Sequence, residues 1–249
     1  MTDIRIKYQK LTFPVEEAYK SLRTNLFFCG RDKKVIAITS CTPNEGKSTV
    51  SLNLALSLAE AHKKVILIDG DLRNSTLLGK IHLAGDKEKD GLAYYLSGMT
   101  SFEDLICTTD HEGLDMILTG GFPPNPAELL GESSFKELLE KLRASYDYVI
   151  VDTPPVGNVI DSAIIAESCD GLVMVIESNA ISYRFAQRVK EQLEKTSCPI
   201  LGVILNKIDP TAQGYGRYGS YGKYGRYGQY GRYGRYGKAV TDETEKTEE

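Results

Sequence analysis

The nine residues Cys41, Thr42, Pro43, Asn44, Glu45, Gly46, Lys47, Ser48 and Thr49 follow a short β-rich apolar run at 35–39 and open a longer apolar stretch over 50–59. Their last places fit the phosphate-loop pattern G-x-x-x-x-G-K-[ST], with Cys41 where the first Gly should stand. Such a loop needs backbone N–H groups turned toward a polyphosphate at a helix N-terminus, a lysine at the β/γ-phosphates and a hydroxyl on Mg²⁺. Gly46, Lys47 and Ser48 supply these, and Thr49 is placed to reach the α-phosphate. The competing reading is an ordinary strand-to-helix turn with a chance Gly-Lys-Ser. The flanking strand and helix favour the phosphate loop.

Carboxylates follow at the ends of two further β-rich runs. One ends as Ile66-Leu-Ile-Asp69-Gly-Asp71-Leu-Arg73, the other as Tyr148-Val-Ile-Val-Asp152-Thr-Pro154-Pro155. Acids just past the carboxyl ends of parallel strands lie in the crevice where such sheets bind ligands, and three of them together call for a cation. Asp152, four residues into an apolar run, looks like a Walker B acid that holds Mg²⁺ directly or through water. Asp69 and Asp71, two apart, would point to the same side of an extended strand end and face one substrate. Asp71 could instead cap the next helix. Asn206, at the end of Gly202-Val-Ile-Leu-Asn206, has an amide suited to an adenine edge, with a plain turn residue as the alternative. Arg73 reads either as a second-sphere phosphate contact or as a solvated helix-end charge. His62, His82 and His111 lack metal-ligand spacing.

These residues need a scaffold, and the chain alternates strand with helix. β-rich runs occur at 35–39, 65–68, 114–118, 148–151, 172–176 and 201–205, most of them apolar on both faces as buried parallel strands require. Between them Phe135, Leu138, Leu139 and Leu142 form a helical stripe behind a Ser133 cap, and Phe185, Val189 and Leu193 form another behind Ser182. A helix started by Pro14 runs to about Phe27. The class is α/β, with a doubly wound, mainly parallel sheet. The division expected is an N-terminal segment and helix over 1–32, a phosphate-loop domain over 33–210 and a tail over 211–249.

The 249 residues carry 30 Lys and Arg against 34 Asp and Glu, with five scattered cysteines and no C-x-x-C pair. A disulfide framework and a structural zinc site are thereby disfavoured, and a reducing cytoplasm is expected. No apolar run approaches the ~18 residues needed to cross a bilayer, and the start at Met1 has no basic-then-apolar leader. Charge is unevenly spread. Residues 215–238 hold six basic residues and no acids, and 239–249 hold five acids and one Lys. The remaining 214 residues have 23 basic and 29 acidic side chains, a net of −6.

The basic block is a Tyr-Gly-x repeat placing Tyr215, Tyr218, Tyr221, Tyr224, Tyr227, Tyr230, Tyr233 and Tyr236 at a period of three. That period matches neither strand nor helix, and Gly at every third place raises the cost of ordering, so disorder is expected. Collagen is excluded by the missing Pro and the bulky Tyr in every triplet. A coil of about 21 residues from Asn206 to Tyr227 would span roughly 25 Å, enough to reach a neighbouring protomer.

The set CTPNEGKST, ILIDGDLR and VIVDTPP, the stretch LTGGFPPNPAELL and the C-terminal tyrosine cluster together resemble the bacterial tyrosine kinases of capsule and exopolysaccharide synthesis. The likeness covers roughly residues 14 to 238 and is most similar to the Firmicute arrangement, in which the kinase is a separate cytoplasmic chain. The phosphate loop alone is widely shared, whereas its combination with the Tyr tail is specific. The resemblance implies a phosphate-loop NTPase fold and transfer of the ATP γ-phosphate to tyrosine. Lys47, Ser48 and Thr49 would carry nucleotide and Mg²⁺, Asp71 and Asp152 would position Mg²⁺, and Asp69 would accept the tyrosine proton. The eight tail tyrosines would be the phosphoacceptors. It also implies a membrane-anchored activator of the polysaccharide co-polymerase type with a cytoplasmic tail, a cognate tyrosine phosphatase, and a location at the inner face of the membrane reached through that partner. The family's ring-forming motif Glu-x-x-Arg-x-x-Arg is matched by Glu17, Lys20 and Arg23, with Lys at the middle place; the alternative is a solvated helix face. Cys41 and Asn44 replace the small residue and Gly more usual in the loop, and neither removes a group the chemistry needs.

Two other functions compete. A partition or positioning ATPase would use ATP to switch a dimer, but that class carries an additional Lys early in its phosphate loop, and residues 41–45 contain none. A nucleic-acid binder would stack bases on the tyrosines of the basic tail, against which the acidic body works. No nucleic acid is expected, nor direct membrane insertion.

Overall fold

The computed structural model describes residues 3–7, 10–84, 91–157 and 160–208. The chain divides into Met1–Ile208 and Asp209–Glu249, and all the described elements belong to the first unit. The strands are β1 (Ile4–Ile6), β2 (Val35–Ser40), β3 (Val65–Asp69), β4 (Ile81–Leu83), β5 (Cys107–Thr108), β6 (Leu114–Ile117), β7 (Tyr148–Asp152), β8 (Gly171–Glu177) and β9 (Ile200–Asn206). The helices are α1 (Phe13–Phe28), α2 (Lys47–Glu60), α3 (Leu92–Leu96), α4 (Phe102–Leu105), α5 (Pro126–Gly131), α6 (Ser133–Ser145), α7 (Asp161–Glu167) and α8 (Tyr183–Leu193).

Seven strands form one sheet in the order β5-β6-β3-β7-β2-β8-β9, parallel except for β5 at one edge. β1 and β4 make a separate antiparallel pair. Every residue of β2, β3 and β7 is buried, as expected of strands covered on both faces. Alternate side chains serve two cores. Val35 and Ala37 join Phe135, Leu138, Leu139 and Leu142 of α6 on one face. Ile36 and Ile38 join Leu54 and Leu58 of α2 on the other. This is the doubly wound α/β arrangement, and it sets the carboxyl ends of β3, β7 and β2 side by side, the end of such a sheet at which ligands bind.

Some local expectations shift. α6 begins at Ser133 itself, with Glu132 at the N-cap and no side-chain cap bond, so Ser133 does not cap it. Ser182 does cap α8, accepting from the Phe185 N–H at 3.3 Å. β1, β4 and β5, only two or three residues long, carry no readable alternation and were not anticipated. α1 packs on α2, and its Phe27 ring also lies 5.9 Å from that of Tyr148 at the start of β7. Among the described residues no helix is long and apolar enough to cross a membrane.

Candidate active site

β2 carries the chain into the loop 41–46, and α2 starts at its end. Gly46, the N-cap of α2, has φ +93°, and Asn44 has φ +67°. The left-handed region suits Gly and is tolerated by Asn. A Cβ at Gly46 would also overlap the Asn206 amide, so glycine is required there on two grounds. No side chain caps α2, and its first-turn N–H groups and positive dipole end are therefore presented to a ligand. Within the loop the Glu45 carboxylate accepts the Thr42 N–H at 2.8 Å, and the Ser40 hydroxyl donates to the Thr42 carbonyl at 2.8 Å. Cys41 is fully buried; burial, with the Glu45 charge, pushes its thiol up to about 12, which leaves it inert rather than nucleophilic.

Lys47 sits at the first turn of α2 with its ammonium 3.2 Å from Asp71 Oδ2, 3.4 Å from Asp152 Oδ2 and 3.2 Å from Ser48 Oγ. All four residues are buried. Burial works against the ammonium, but the Asp152 and Asp71 carboxylates outweigh it and the Lys47 pKa moves up. Lys47 is thus charged, and its single positive charge lies between the two acids. Ser51, one helical turn on, donates to Asp152 Oδ1 at 3.0 Å, while the Thr76 hydroxyl donates to Ser48 Oγ at 2.8 Å.

Asp69 behaves differently from Asp71. β3 ends at Asp69, so the two-residue alternation of a strand does not continue to Asp71. Asp71 accepts from Lys47 and, at 3.0 Å, from the Asn74 N–H. Asp69 accepts from the Ser75 hydroxyl and, at 3.4 Å, from the Asp71 N–H. Complete burial, then the neighbouring Asp152 charge, pushes the Asp69 carboxyl up to about 8. Asp152 also moves up through burial, opposed by Lys47 and by hydroxyl donors. A protonated Asp69 accepts no further proton, so any role as a base requires a change around it, and added positive charge is the simplest.

The loops bearing these acids converge on α7. Arg73 makes a two-pronged pair with Asp161, 2.7 and 3.0 Å, and Asp161 is fully buried. Arg73, with its side chain 42% exposed, therefore ties the loop after β3 to α7 from the surface, a pairing that neither sequence reading anticipated. Ser162 donates to the Pro154 carbonyl, which also receives the Thr39 hydroxyl at 2.9 Å. Asn206 donates its amide to the Glu45 carbonyl at 2.9 Å, so it stands against the phosphate loop.

Away from this cluster, on α1, Glu17 and Lys20 form an exposed ion pair at 2.7 Å, while Arg23 donates to the Ser57 carbonyl on α2 within the same chain. The tail tyrosines Tyr215 to Tyr236 lie outside the described residues. Sequence reasoning missed Ser51, Ser75, Thr76 and Asp161. Only Ser51 left a signal, its four-residue spacing from Lys47 on a helix.

The donor set suits a magnesium-bound polyphosphate. Two carboxylates and a hydroxyl surround a cationic group at an anion-binding helix start, and Mg²⁺ is ordinarily held by one or two carboxylates with substrate phosphates and waters. Among the described residues there is no cluster of three or more His, Cys, Asp or Glu able to hold a metal by themselves.

Comparison with known proteins agrees with this geometry. Residues 33–197 match the family model described as an AAA domain. The tyrosine-protein kinase CpsD of Streptococcus agalactiae is 42% identical over 216 residues, covering 87% of this chain and 92% of that protein. The tyrosine-protein kinase YwqD of Bacillus subtilis is 41% identical over 193 residues, covering 76% and 80%. The kinase domain of the Escherichia coli tyrosine kinase ETK superposes with a TM-score of 0.74 at 34% identity, covering 79% of this chain and 77% of that one. With the phosphate loop, the paired acids and these relatives in agreement, the chain belongs to the bacterial tyrosine-protein kinases, and within them to the Firmicute type.

Proposed function

We propose that the chain transfers the γ-phosphate of Mg·ATP to the tyrosines of its own C-terminal Tyr-Gly-x tract, between chains, and thereby regulates the polymerisation and export of a capsular or extracellular polysaccharide. The observation that carries this reading is the Lys47 ammonium held between Asp71 and Asp152 at the uncapped start of α2, with a third acid, Asp69, beside them. Lys47, Thr49 and the loop 41–46 hold the nucleotide phosphates, and Asn206 borders the base. Ser48, Asp71 and Asp152 are the residues to hold Mg²⁺, whose contribution is neutralisation of phosphate charge. Lys47 orients the phosphates and balances the charge that develops on them. Asp69 then takes the phenolic proton. A phenol with a pKa near ~10 is a poor nucleophile at neutral pH and needs such a base. Positive charge held by Ser48, Asp71 and Asp152 would favour the ionised form of Asp69, the form in which this carboxylate can act as a base.

Glu17, Lys20 and Arg23 remain candidates for an oligomer contact on α1; the Arg23 bond to Ser57 supports a role of that residue in seating α1 on α2 as well. The reading includes a membrane-anchored activator with a cytoplasmic tail, an opposing tyrosine phosphatase and a position at the inner face of the membrane through that activator. Relatives named tyrosine-protein kinases support the reaction over a partition-type ATPase switch. Incubation of the purified chain with labelled ATP and Mg²⁺, with and without the activator's cytoplasmic tail, should label tyrosines 215–236. ATP hydrolysis without phosphotyrosine would favour the ATPase switch instead.

A further inference from the structure

Two consecutive residues at the end of β9 grip two consecutive carbonyls of the phosphate loop. Asn206 closes the strand, its carbonyl accepting the Ser178 N–H at 2.9 Å, and its side-chain amide reaches the Glu45 carbonyl at 2.9 Å. Lys207 then turns through φ +53°, a left-handed conformation that residues with side chains rarely adopt. The turn brings its ammonium to the Asn44 carbonyl at 2.7 Å and to Glu177 Oε2, at the end of β8, also at 2.7 Å. Glu177 thus holds the lysine, and the lysine holds the loop.

The planarity of the peptide bond gives these contacts a direction. No described peptide is cis, and in a trans peptide the N–H of one residue points opposite to the carbonyl of the residue before it. Fixing the Asn44 carbonyl on Lys207 therefore aims the Glu45 N–H away from Lys207. Fixing the Glu45 carbonyl on Asn206 likewise aims the Gly46 N–H away from Asn206. These are N–H groups of the phosphate loop, and the left-handed turns at Asn44 and Gly46 are the conformation the two clamps preserve. Resting on the phosphoryl-transfer reading above, we propose that Lys207 is a positioning residue for the nucleotide, held by Glu177 and keeping the phosphate loop in its binding conformation.

Magnitudes separate this role from a general structural one. The Lys207 and Glu177 side chains are 47% and 31% exposed, and ion pairs that open to water add little to global stability. What the pair supplies is local order. A loop already in its bound shape does not bear the cost of ordering when the ligand arrives, so the benefit belongs in affinity for nucleotide. It should not belong in the chemical step, because Lys207 contacts the loop's outer carbonyl and none of Lys47, Asp69, Asp71 or Asp152.

The test uses the full chain with Lys207→Met, Lys207→Arg and Glu177→Gln. Three quantities are read: equilibrium affinity for a fluorescent Mg·ADP analogue, KM for ATP and kcat in tyrosine transfer, and thermal midpoint. Lys207→Met should weaken ADP binding and raise KM by about tenfold, the worth of one charge-assisted hydrogen bond, with kcat within about twofold and the thermal midpoint nearly unchanged. Lys207→Arg, which keeps a cationic donor, should restore most of the affinity, and Glu177→Gln should fall between. Unchanged ADP affinity in Lys207→Met would overturn the proposal. So would a loss of affinity that follows a loss of thermal stability and is not restored by arginine. The ADP measurement is independent of tyrosine transfer: a wild-type chain that binds ADP through Lys207 but, with the activator's cytoplasmic tail present, transfers no phosphate to tyrosines 215–236 would sink the tail-phosphorylation reading and leave the clamp standing.

Discussion

Asp69 and Asp152 are register partners on the adjacent strands β3 and β7, both without solvent exposure, and only Asp152 contacts the Lys47 ammonium. Two carboxyls in this relation do not ionise equally. Lys47 opposes the upward shift of Asp152, while Asp69, which does not contact the ammonium, rises to about 8 through burial and the Asp152 charge.

A stability consequence follows with a definite sign. A carboxyl whose pKa is raised in the folded state binds its proton more tightly there than in the unfolded chain. The unfolded chain then holds fewer protons between the ordinary value of 3.8 and about 8, and this group's contribution lowers stability as pH rises through that window. Asp69→Asn removes the penalty. Its thermal midpoint should exceed that of the wild type near pH ~8 and approach it near pH ~4, while tyrosine transfer is lost at both. Denaturation scans across that range decide it; a midpoint difference that does not change with pH would refute the shift.

Lys47→Ala and Asp152→Ala address the chemistry. Phosphoryl transfer relies on positioning and charge compensation, so each should reduce tyrosine phosphorylation by at least ~10³-fold with the fold retained by circular dichroism. Lys47→Ala leaves the Asp71 and Asp152 carboxylates without their internal cation, and it should therefore gain more stability from added Mg²⁺ than the wild type does. Retained autophosphorylation in the Lys47 variant, free of contaminating kinases, would remove the site assignment.

The Arg73 to Asp161 strut predicts an asymmetry. Arg73→Ala removes the partner of a buried carboxylate, but the arginine side chain is 42% exposed and water can take its place, so the cost should be of order ~1 kcal/mol, with Asp161→Asn, which keeps a hydrogen-bonding partner, costing less. Urea midpoints of the two variants provide the comparison. Equal costs would show that the arginine contributes packing rather than charge.

The parts of this site that sequence made legible are those set by local pattern. Lys47, Ser48 and Gly46 stand at fixed spacing on a strand-to-helix turn. Asp69 and Asp152 end runs that are apolar at every position, the signature of strands covered on both faces. Asp161 and Lys207 were not legible, because their partners lie 88 residues away at Arg73 and 163 away at Asn44, and tertiary folding alone brings them together. β1 and β4 escaped for a related reason: three residues give too few alternations, and each strand is specified by the other. The division of labour between Asp69 and Asp71 was obscured because β3 stops between them, which periodicity does not register.

Transfer between chains is tested by mixing. A Lys47→Ala chain that keeps residues 215–238 is incubated with an active chain lacking them, in the presence of the activator. Phosphotyrosine should appear on the inactive chain. Its absence under conditions where the intact chain labels itself would establish a reaction within one chain.

The last prediction concerns what the modification does, and it rests on charge. The Tyr-Gly-x block carries six positive charges, while residues 1–214 carry a net of −6. Unmodified tails should therefore be attracted to the acidic surfaces of neighbouring chains, and salt should weaken that attraction. Each phosphotyrosine adds about −1.5 to −2, so three or four cancel the block and eight carry it to roughly −6 to −10. Attraction then becomes repulsion. The assembly should loosen progressively beyond about three phosphates, with their number rather than any one position as the control variable. Single Tyr→Phe substitutions should change little, and four or more should hold the assembled form. Light scattering on graded phospho-forms measures this directly; dissociation set by one particular tyrosine, or an unchanged mass at full phosphorylation, would show that charge accumulation is not the mechanism.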